Sequence, residues 1–249
     1  MTDDGTRDGT DEGRGADTLG GLALVTAEDR DALGARLAEE VARRLERAIE
    51  RRGEASLVVS GGSTPMPFLR SLAGRPLDWS KVSVTLADER WVAPGHEDSN
   101  EGLVRRALLS GPAASARFVS LHADAPTPEE ALDALDARLA ALPRPFDVVV
   151  LGMGGDGHTA SLFPDAPELE HGMETRERSV AAMRPASVSQ ARVTLTRAAL
   201  LDSEARFVHV SGEDKRDVLE RALADEPRLA PIARVLDEAP EGVTIYWAP

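Results

Sequence analysis

With 249 residues, a formal net charge of −14 and no cysteine, the chain is expected to hold no disulfide, thiolate metal site or cysteine nucleophile, and nucleic acid is disfavoured as a partner. Apolar residues make up 42% and aromatics only 4%, so a real core is expected, built from Leu, Val and Ala. No apolar run approaches membrane-spanning length and the N-terminus shows no signal-peptide pattern, so a cytoplasmic protein with no membrane partner is expected.

Residues 1–18 carry six acids, two arginines and almost nothing apolar. Such a segment cannot repay the entropy of ordering, so a disordered acidic tail is expected ahead of a single α/β domain over 19–249. Leu22–Val25 reads as a short strand. Over Glu28–Arg52, Leu33, Leu37, Val41, Leu45 and Ile49 recur every fourth residue, which predicts a helix with one apolar stripe. Thr26 is its expected N-cap and Gly53 its expected stop. Leu57-Val58-Val59 reads as a strand running into Ser60-Gly61-Gly62-Ser63-Thr64-Pro65. A helix through Leu72 follows, with Thr64 as cap and Pro65 in its first position. The loop's free amides and two hydroxyls suit a phosphate. It lacks the lysine of a P-loop, so a nucleoside triphosphate is not expected.

Val82–Ala87 reads as a strand ending in Asp88-Glu89-Arg90-Trp91-Val92. The C-terminal ends of strands are where α/β sheets keep their polar site groups. Glu97-Asp98-Ser99-Asn100 caps a helix through Leu109, and Phe118–Leu121 is a short strand. Thr127-Pro128-Glu129-Glu130 is a capping box that starts a helix to about Leu142, with Leu132, Leu135 and Leu139 inward.

Phe146-Asp147-Val148-Val149-Val150-Leu151 reads as a buried strand. Gly152-Met153-Gly154-Gly155-Asp156-Gly157-His158 follows, bare enough for a ligand to approach the backbone. A short helix is expected to open there, its dipole disfavouring an imidazolium at His158. The spacing Gly152-x-Gly154-x-x-Gly157 also matches the dinucleotide fingerprint. The stretch lies mid-chain, however, and the next strand has no acidic residue at its end to hold a ribose. A plain glycine turn with a solvated histidine is the third reading. The catalytic one is preferred, because Asp156 and His158 stand two apart on a backbone built for close approach.

Residues 165–178 read as irregular. Ser179–Met183 and Arg192–Leu195 are strands, Arg197–Leu201 a short helix and Arg206–Val210 a strand ending in Ser211-Gly212-Glu213-Asp214-Lys215. A helix over Asp217–Ala224 places Lys215 in its first turn, where a cation is disfavoured unless an anion sits nearby. Pro231–Ala239 is a helix and Val243–Trp247 the last strand. Lysine occurs only at 81 and 215, against 27 arginines, so a lysine is the more informative cation here. His96, His122, His171 and His209 show no metal-ligand spacing and read as surface or packing residues; no metal site is expected. The alternation of strands and helices predicts an α/β fold: a Rossmann-like, mostly parallel sheet with helices on both faces and room for a small antiparallel appendage.

Taken together, Ser60–Pro65, Ala87–Val92 with Ser99-Asn100, Gly152–Pro164, Arg192–Thr196 and Gly212-x-x-Lys215 resemble the glucosamine-6-phosphate isomerase/6-phosphogluconolactonase family, and within it the lactonase branch. The resemblance spans about residues 20–249. It implies hydrolysis of 6-phospho-D-glucono-1,5-lactone to 6-phosphogluconate without metal or cofactor, by a monomer or small homo-oligomer. It implies His158 as general base, Asp156 orienting the ring or the water, and the glycine-loop amides or Arg90 stabilising the oxyanion. The phosphate would lie on Gly61, Gly62, Ser63 and Thr64, with Arg192 and Lys215 as counter-charges. Asp88, Asn100 and Gly154 complete the implied substrate-binding set. Ala186–Gln190 departs from the family's Pro/Lys-rich lead-in, which leaves Arg184 as the alternative to Arg192. The nearest rival is the deaminase branch, where a glutamate lies five residues after the histidine. Here that position is Phe163, and Asp88-Glu89 is followed by Arg90 rather than an aromatic. A sugar-phosphate sensor would carry a DNA-binding helix-turn-helix, for which residues 1–25 are too short and too acidic.

Overall fold

A computed structural model describes residues 17–225, 229–237 and 242–249. Most of the expected acidic tail lies outside these residues, as does the end of the helix expected to run to Ala239. Thr18, read as the end of the tail, already pairs with Ala23 in a small hairpin of β1 (Thr18–Leu19) and β2 (Leu22–Thr26). The first helix, α1 (Arg30–Arg52), starts two residues later than expected, because Asp29 rather than Thr26 caps it. The Asp29 carboxylate accepts from the Asp31 and Ala32 amides, satisfying two donors that the first turn leaves open. Leu33, Leu37, Val41 and Leu45 are wholly buried, and Gly53 at φ 85 closes the helix.

The chain continues as β3 (Ala55–Val59), α2 (Met66–Ala73), β4 (Val82–Leu86) and β5 (Asp88–Arg90). Thr64 does not cap α2; Pro65 occupies the cap position with helical backbone angles and no side-chain hydrogen bond. There follow α3 (Asn100–Ala107), β6 (Arg117–Val119), α4 (Pro128–Ala140) and β7 (Val148–Leu151). Thr127 caps α4 as expected, but Leu132 is only half-buried and Ala131 takes the inward place. The stretch expected to be irregular contains α5 (Leu169–Glu174). The chain ends through β8 (Val180–Met183), β9 (Arg192–Leu195), α6 (Arg197–Leu201), β10 (Arg206–Ser211), α7 (Glu213–Ala224), α8 (Pro231–Asp237) and β11 (Val243–Ala248).

Eight strands form one sheet in the order β1-β2-β11-β10-β7-β3-β4-β6, parallel except for the hairpin. Strand β10 shows why both faces must be covered. Val208 and Val210 pack with Leu219, Leu223 and Ile232 of α7 and α8. Phe207 and His209 point the other way, toward Arg44 of α1 and Phe68 of α2. The remaining strands form a small antiparallel sheet, β5-β9-β8. The expected α/β architecture and its appendage are therefore both present.

One buried carboxylate ties the appendage to α3. Glu89 is fully buried; one of its oxygens accepts from the amides of Arg90 and Asn100, the other from the Glu101 amide and the Ser99 hydroxyl. It thereby serves the open donors of the first turn of α3 from a neighbouring strand. Burial pushes its carboxyl pKa above the usual range, although the three amides oppose this. The folded state thus holds the Glu89 proton more tightly than the unfolded chain does. Its contribution to stability is greatest at acid pH and declines as pH rises through its folded pKa. Glu89→Gln turns an NH₂ toward amide donors and should cost about 2 kcal/mol at neutral pH. Urea unfolding checks this, and an unchanged midpoint would show that the carboxylate is not holding the helix.

Candidate active site

The chain leaves β3 toward β4 and β6, then crosses back to lay β7 on the opposite side of β3, with β10 and β11 beyond it. Between β3 and β7 the winding reverses, and the loops at their carboxyl ends part to leave a crevice. Ser60 joins the two strands there: its amide and hydroxyl both donate to the Val150 carbonyl at 3.1 Å, and its Oγ accepts from the Gly152 amide at 3.3 Å. The crevice is a cavity of about 320 Å³. Gly61, Gly62, Ser63 and Thr64 line it from β3, Asp88 and Arg90 from β5, and Asn100 from the start of α3. Gly154 and His158 line it from the β7 loop, Arg192 from β9 and Lys215 from α7. Asp156 stands behind His158 rather than on the cavity wall.

The β7 loop does not open a helix. Residues 152–168 carry no helical segment, so the helix expected to begin at His158 is absent, and with it the strand–turn–helix unit of a dinucleotide fingerprint. The loop instead folds on itself. Gly154 N–H donates to the His158 carbonyl, Gly157 N–H to the Gly154 carbonyl, and His158 N–H to Asp156 Oδ1. The aspartate side chain replaces the backbone acceptor that a helix would have supplied. The same Oδ1 lies 2.6 Å from His158 Nδ1. With the Nδ1 proton held there, Nε2 is left as the basic nitrogen. Burial works against the Asp156 carboxylate, but the His158 amide and ring outweigh it and hold its pKa below the usual range. Phe163 stacks on the imidazole with ring centroids 3.9 Å apart. A Cβ on Gly154 would lie 2.2 Å from the ring, so only glycine admits it. The Gly154, Gly157 and His158 amides are thus engaged within the loop itself, which leaves Arg90 and the remaining loop amides of the expected oxyanion donors.

The cations reach the cavity from different elements. Arg90 and Arg192 are direct cross-strand partners in the β5–β9 ladder, an arrangement that costs stability unless opposite charge is near. Arg90 donates to the Asp98 carbonyl at 2.7 Å. Arg192 is only 7% exposed, its Nε has no partner among the described residues, and its guanidinium lies 5.8 Å from the Phe163 ring centroid. Burial lowers its pKa, Asp88 opposes this, and Arg90 adds to the lowering. The alternative, Arg184, is spent elsewhere in a bidentate pair with Glu129 at 2.9 Å. Asp88 accepts from the Ser161 hydroxyl at 2.6 Å, and Asn100 Nδ2 donates to the Asp88 carbonyl at 3.0 Å. Asn100 presses so closely on Gly61 that a Cβ there would lie 1.9 Å from its Oδ1. Lys215 sits in the first turn of α7 and its Nζ is close above Gly155, 3.5 Å from where a Cβ would be.

Phe163 and His209 line the crevice without having been assigned to it from the sequence. Phe163 was seen only as the place where a rival's glutamate is missing, yet it carries the imidazole. His209 was read as a surface or packing residue, yet it lines the cavity. Its one sequence signal is being the polar member of the run Phe207-Val208-His209-Val210.

Fold and crevice together define a doubly wound α/β protein with an enzyme-like site, an imidazole–carboxylate pair beside clustered cations, at its switch point. The chain belongs to the family described as glucosamine-6-phosphate isomerases/6-phosphogluconolactonase, whose sequence pattern matches residues 28–247. The 6-phosphogluconolactonase of Mesorhizobium japonicum is 48% identical over 222 residues, which cover 89% of this chain and 93% of that protein. That of Pseudomonas aeruginosa is 48% identical over 214 residues, covering 86% and 89%. The crystal structure of a 6-phosphogluconolactonase from Shewanella baltica superposes with a TM-score of 0.89 at 41% identity, covering 92% of this chain and 98% of that one. No described helix is long and apolar enough to cross a membrane.

Gly154→Ala should leave the far-UV circular dichroism unchanged while forcing the imidazole off the Gly154 side of its slot. The ring resonances of His158 in NMR would then shift; unshifted resonances would mean that the loop yields instead.

Proposed function

We propose that this chain hydrolyses 6-phospho-D-glucono-1,5-lactone to 6-phospho-D-gluconate, with His158 as general base. The observation that carries the reading is the 2.6 Å contact between Asp156 and His158 Nδ1, at the edge of a cavity that also holds Arg90, Arg192 and Lys215. The relatives named above bear the lactonase name. Within the family, the deaminase branch would need an acid where Phe163 stacks on the imidazole.

The chemistry asks for little. Water gives a proton to His158 Nε2 as its oxygen bonds to the lactone carbonyl carbon. Asp156 holds the ring in the tautomer that can accept it and stabilises the imidazolium formed. Negative charge grows on the former carbonyl oxygen, and Arg90 is the group assigned to it, since the loop amides nearest His158 are engaged. The bond from carbon to ring oxygen then breaks, and the imidazolium returns its proton to that oxygen. The product acid ionises in solution. Gly61, Gly62, Ser63 and Thr64 take the phosphate with their amides and hydroxyls, helped by Lys215 and Arg192. Asp88, Asn100 and Gly154 shape the rest of the substrate pocket. A volume of about 320 Å³ lies in the range of small-ligand sites. The same reading has residues 19–249 working as one domain in the cytoplasm, without metal or cofactor, as a monomer or small homo-oligomer.

The lactone also hydrolyses by itself, so it is best generated in situ from glucose 6-phosphate and its loss followed at neutral pH. Wild-type protein should accelerate that loss, and His158→Ala should retain less than about a tenth of the turnover. Acceleration by both proteins would keep the reaction and remove His158 as its base. Lys215→Ala should raise KM about tenfold or more with kcat little changed; a collapsed kcat at unchanged KM would give Lys215 a part in the chemistry instead.

A further inference from the structure

The least explained polar group of the crevice is His209. It is 3% exposed and lies on β10 between two sealed valines. Its ring meets Phe68 edge-on, with centroids 6.1 Å apart. Nδ1 is shut off from solvent, and among the described residues no group hydrogen-bonds either ring nitrogen. Burying an imidazole without a partner costs stability, and an apolar residue of similar volume would suit this place better. A role inside the protein therefore does not explain it. A role toward the cavity does, because His209 is one of the residues that line it.

Its neighbourhood says which end of a ligand it faces. His209 packs on Phe68 of α2, the helix into which the Ser60–Pro65 loop runs, and it lines the same cavity as Ser63, Thr64, Ser211 and Lys215. Arg30 donates to the Ser63 carbonyl at 3.1 Å, and its charge, after burial itself, pushes the His209 pKa down to about 4. The ring is thus neutral in a neutral solution and free to offer one N–H. A neutral donor adds no further positive charge beside Lys215 and Arg30 when the site is empty.

We propose that His209 is a binding residue that grips the phosphate end of the substrate by donating its Nε2–H to a phosphate oxygen. This rests on the reading of a phosphorylated substrate, and it assigns a phosphate contact beyond the Gly61–Thr64 loop, Arg192 and Lys215.

The test uses the full chain as wild type, His209→Leu, which removes the donor, and His209→Gln, which keeps one. Calorimetric titration with 6-phosphogluconate, inorganic phosphate and gluconate reads binding; KM, kcat and thermal melting complete the set. His209→Leu should bind both phosphate compounds roughly tenfold more weakly and leave gluconate binding unaltered. Its KM should rise in parallel with kcat nearly constant, and its melting temperature should equal or exceed that of wild type. His209→Gln should recover much of the lost affinity. Equal phosphate affinity in all three proteins would overturn the proposal, as would weaker gluconate binding alone. Failure of both variants to fold would assign the ring to the core and overturn it as well. Absence of phosphate binding by the wild type would bring down the phosphorylated-substrate reading and the proposal together, whereas wild-type binding matched by His209→Leu removes His209 only.

Discussion

Everything in the crevice depends on how β3 and β7 are held side by side where the winding of the sheet reverses. Ser60 provides the join, giving its amide and hydroxyl to one carbonyl of β7 and accepting the first amide beyond that strand. From this point two glycine-rich segments diverge, one toward α2 and one around His158. Both must be bare for the same reason. Asn100 crosses Gly61, and the imidazole crosses Gly154, at distances that no Cβ permits. The glycines are thus required less for freedom of the chain than for the space they leave to side chains from other elements.

The small antiparallel sheet supplies what the parallel sheet lacks. The whole chain carries a net charge of −14, a body that repels an anionic substrate at long range. Strands β5 and β9 answer by setting Arg90 opposite Arg192, with Asp88 held in place by Ser161. Two adjacent arginines cost stability unless opposite charge is near, and Asp88 is the opposite charge that acts most strongly on Arg192. The appendage is in turn anchored through Glu89, whose carboxylate organises the first turn of α3 and with it the position of Asn100.

The imidazole shows how one function can be met by different physics from that expected. A helix N-terminus was the expected influence on His158, but the loop closes through Asp156 and leaves no helix there. A single carboxylate oxygen receives both the backbone amide and the ring nitrogen of His158. One side chain thereby shapes the loop and orients the imidazole. Phe163 completes the slot by stacking on the ring and is also in reach of the Arg192 guanidinium.

Much of this was legible in the residues themselves. Four-residue periodicity marked α1, apolar runs marked the strands, and the residues just after β3, β4, β7 and β10 marked the crevice, because period, turn chemistry and strand ends are local properties of a sequence. Caps were less legible: Asp29 and Thr26 are both able to cap, and only the path of the chain chooses. The fate of the β7 loop was decided by which acceptor its amides found. Arg184 is engaged by Glu129, which is 55 residues away in the chain, and it does not line the cavity, whereas Arg192 does. His209 is the clearest case. Its residue type and its place on a strand were plain from the sequence. That it faces α2 and the cavity depends on the register of β10 between β7 and β11, and register is a relation between distant segments that no single stretch of sequence contains.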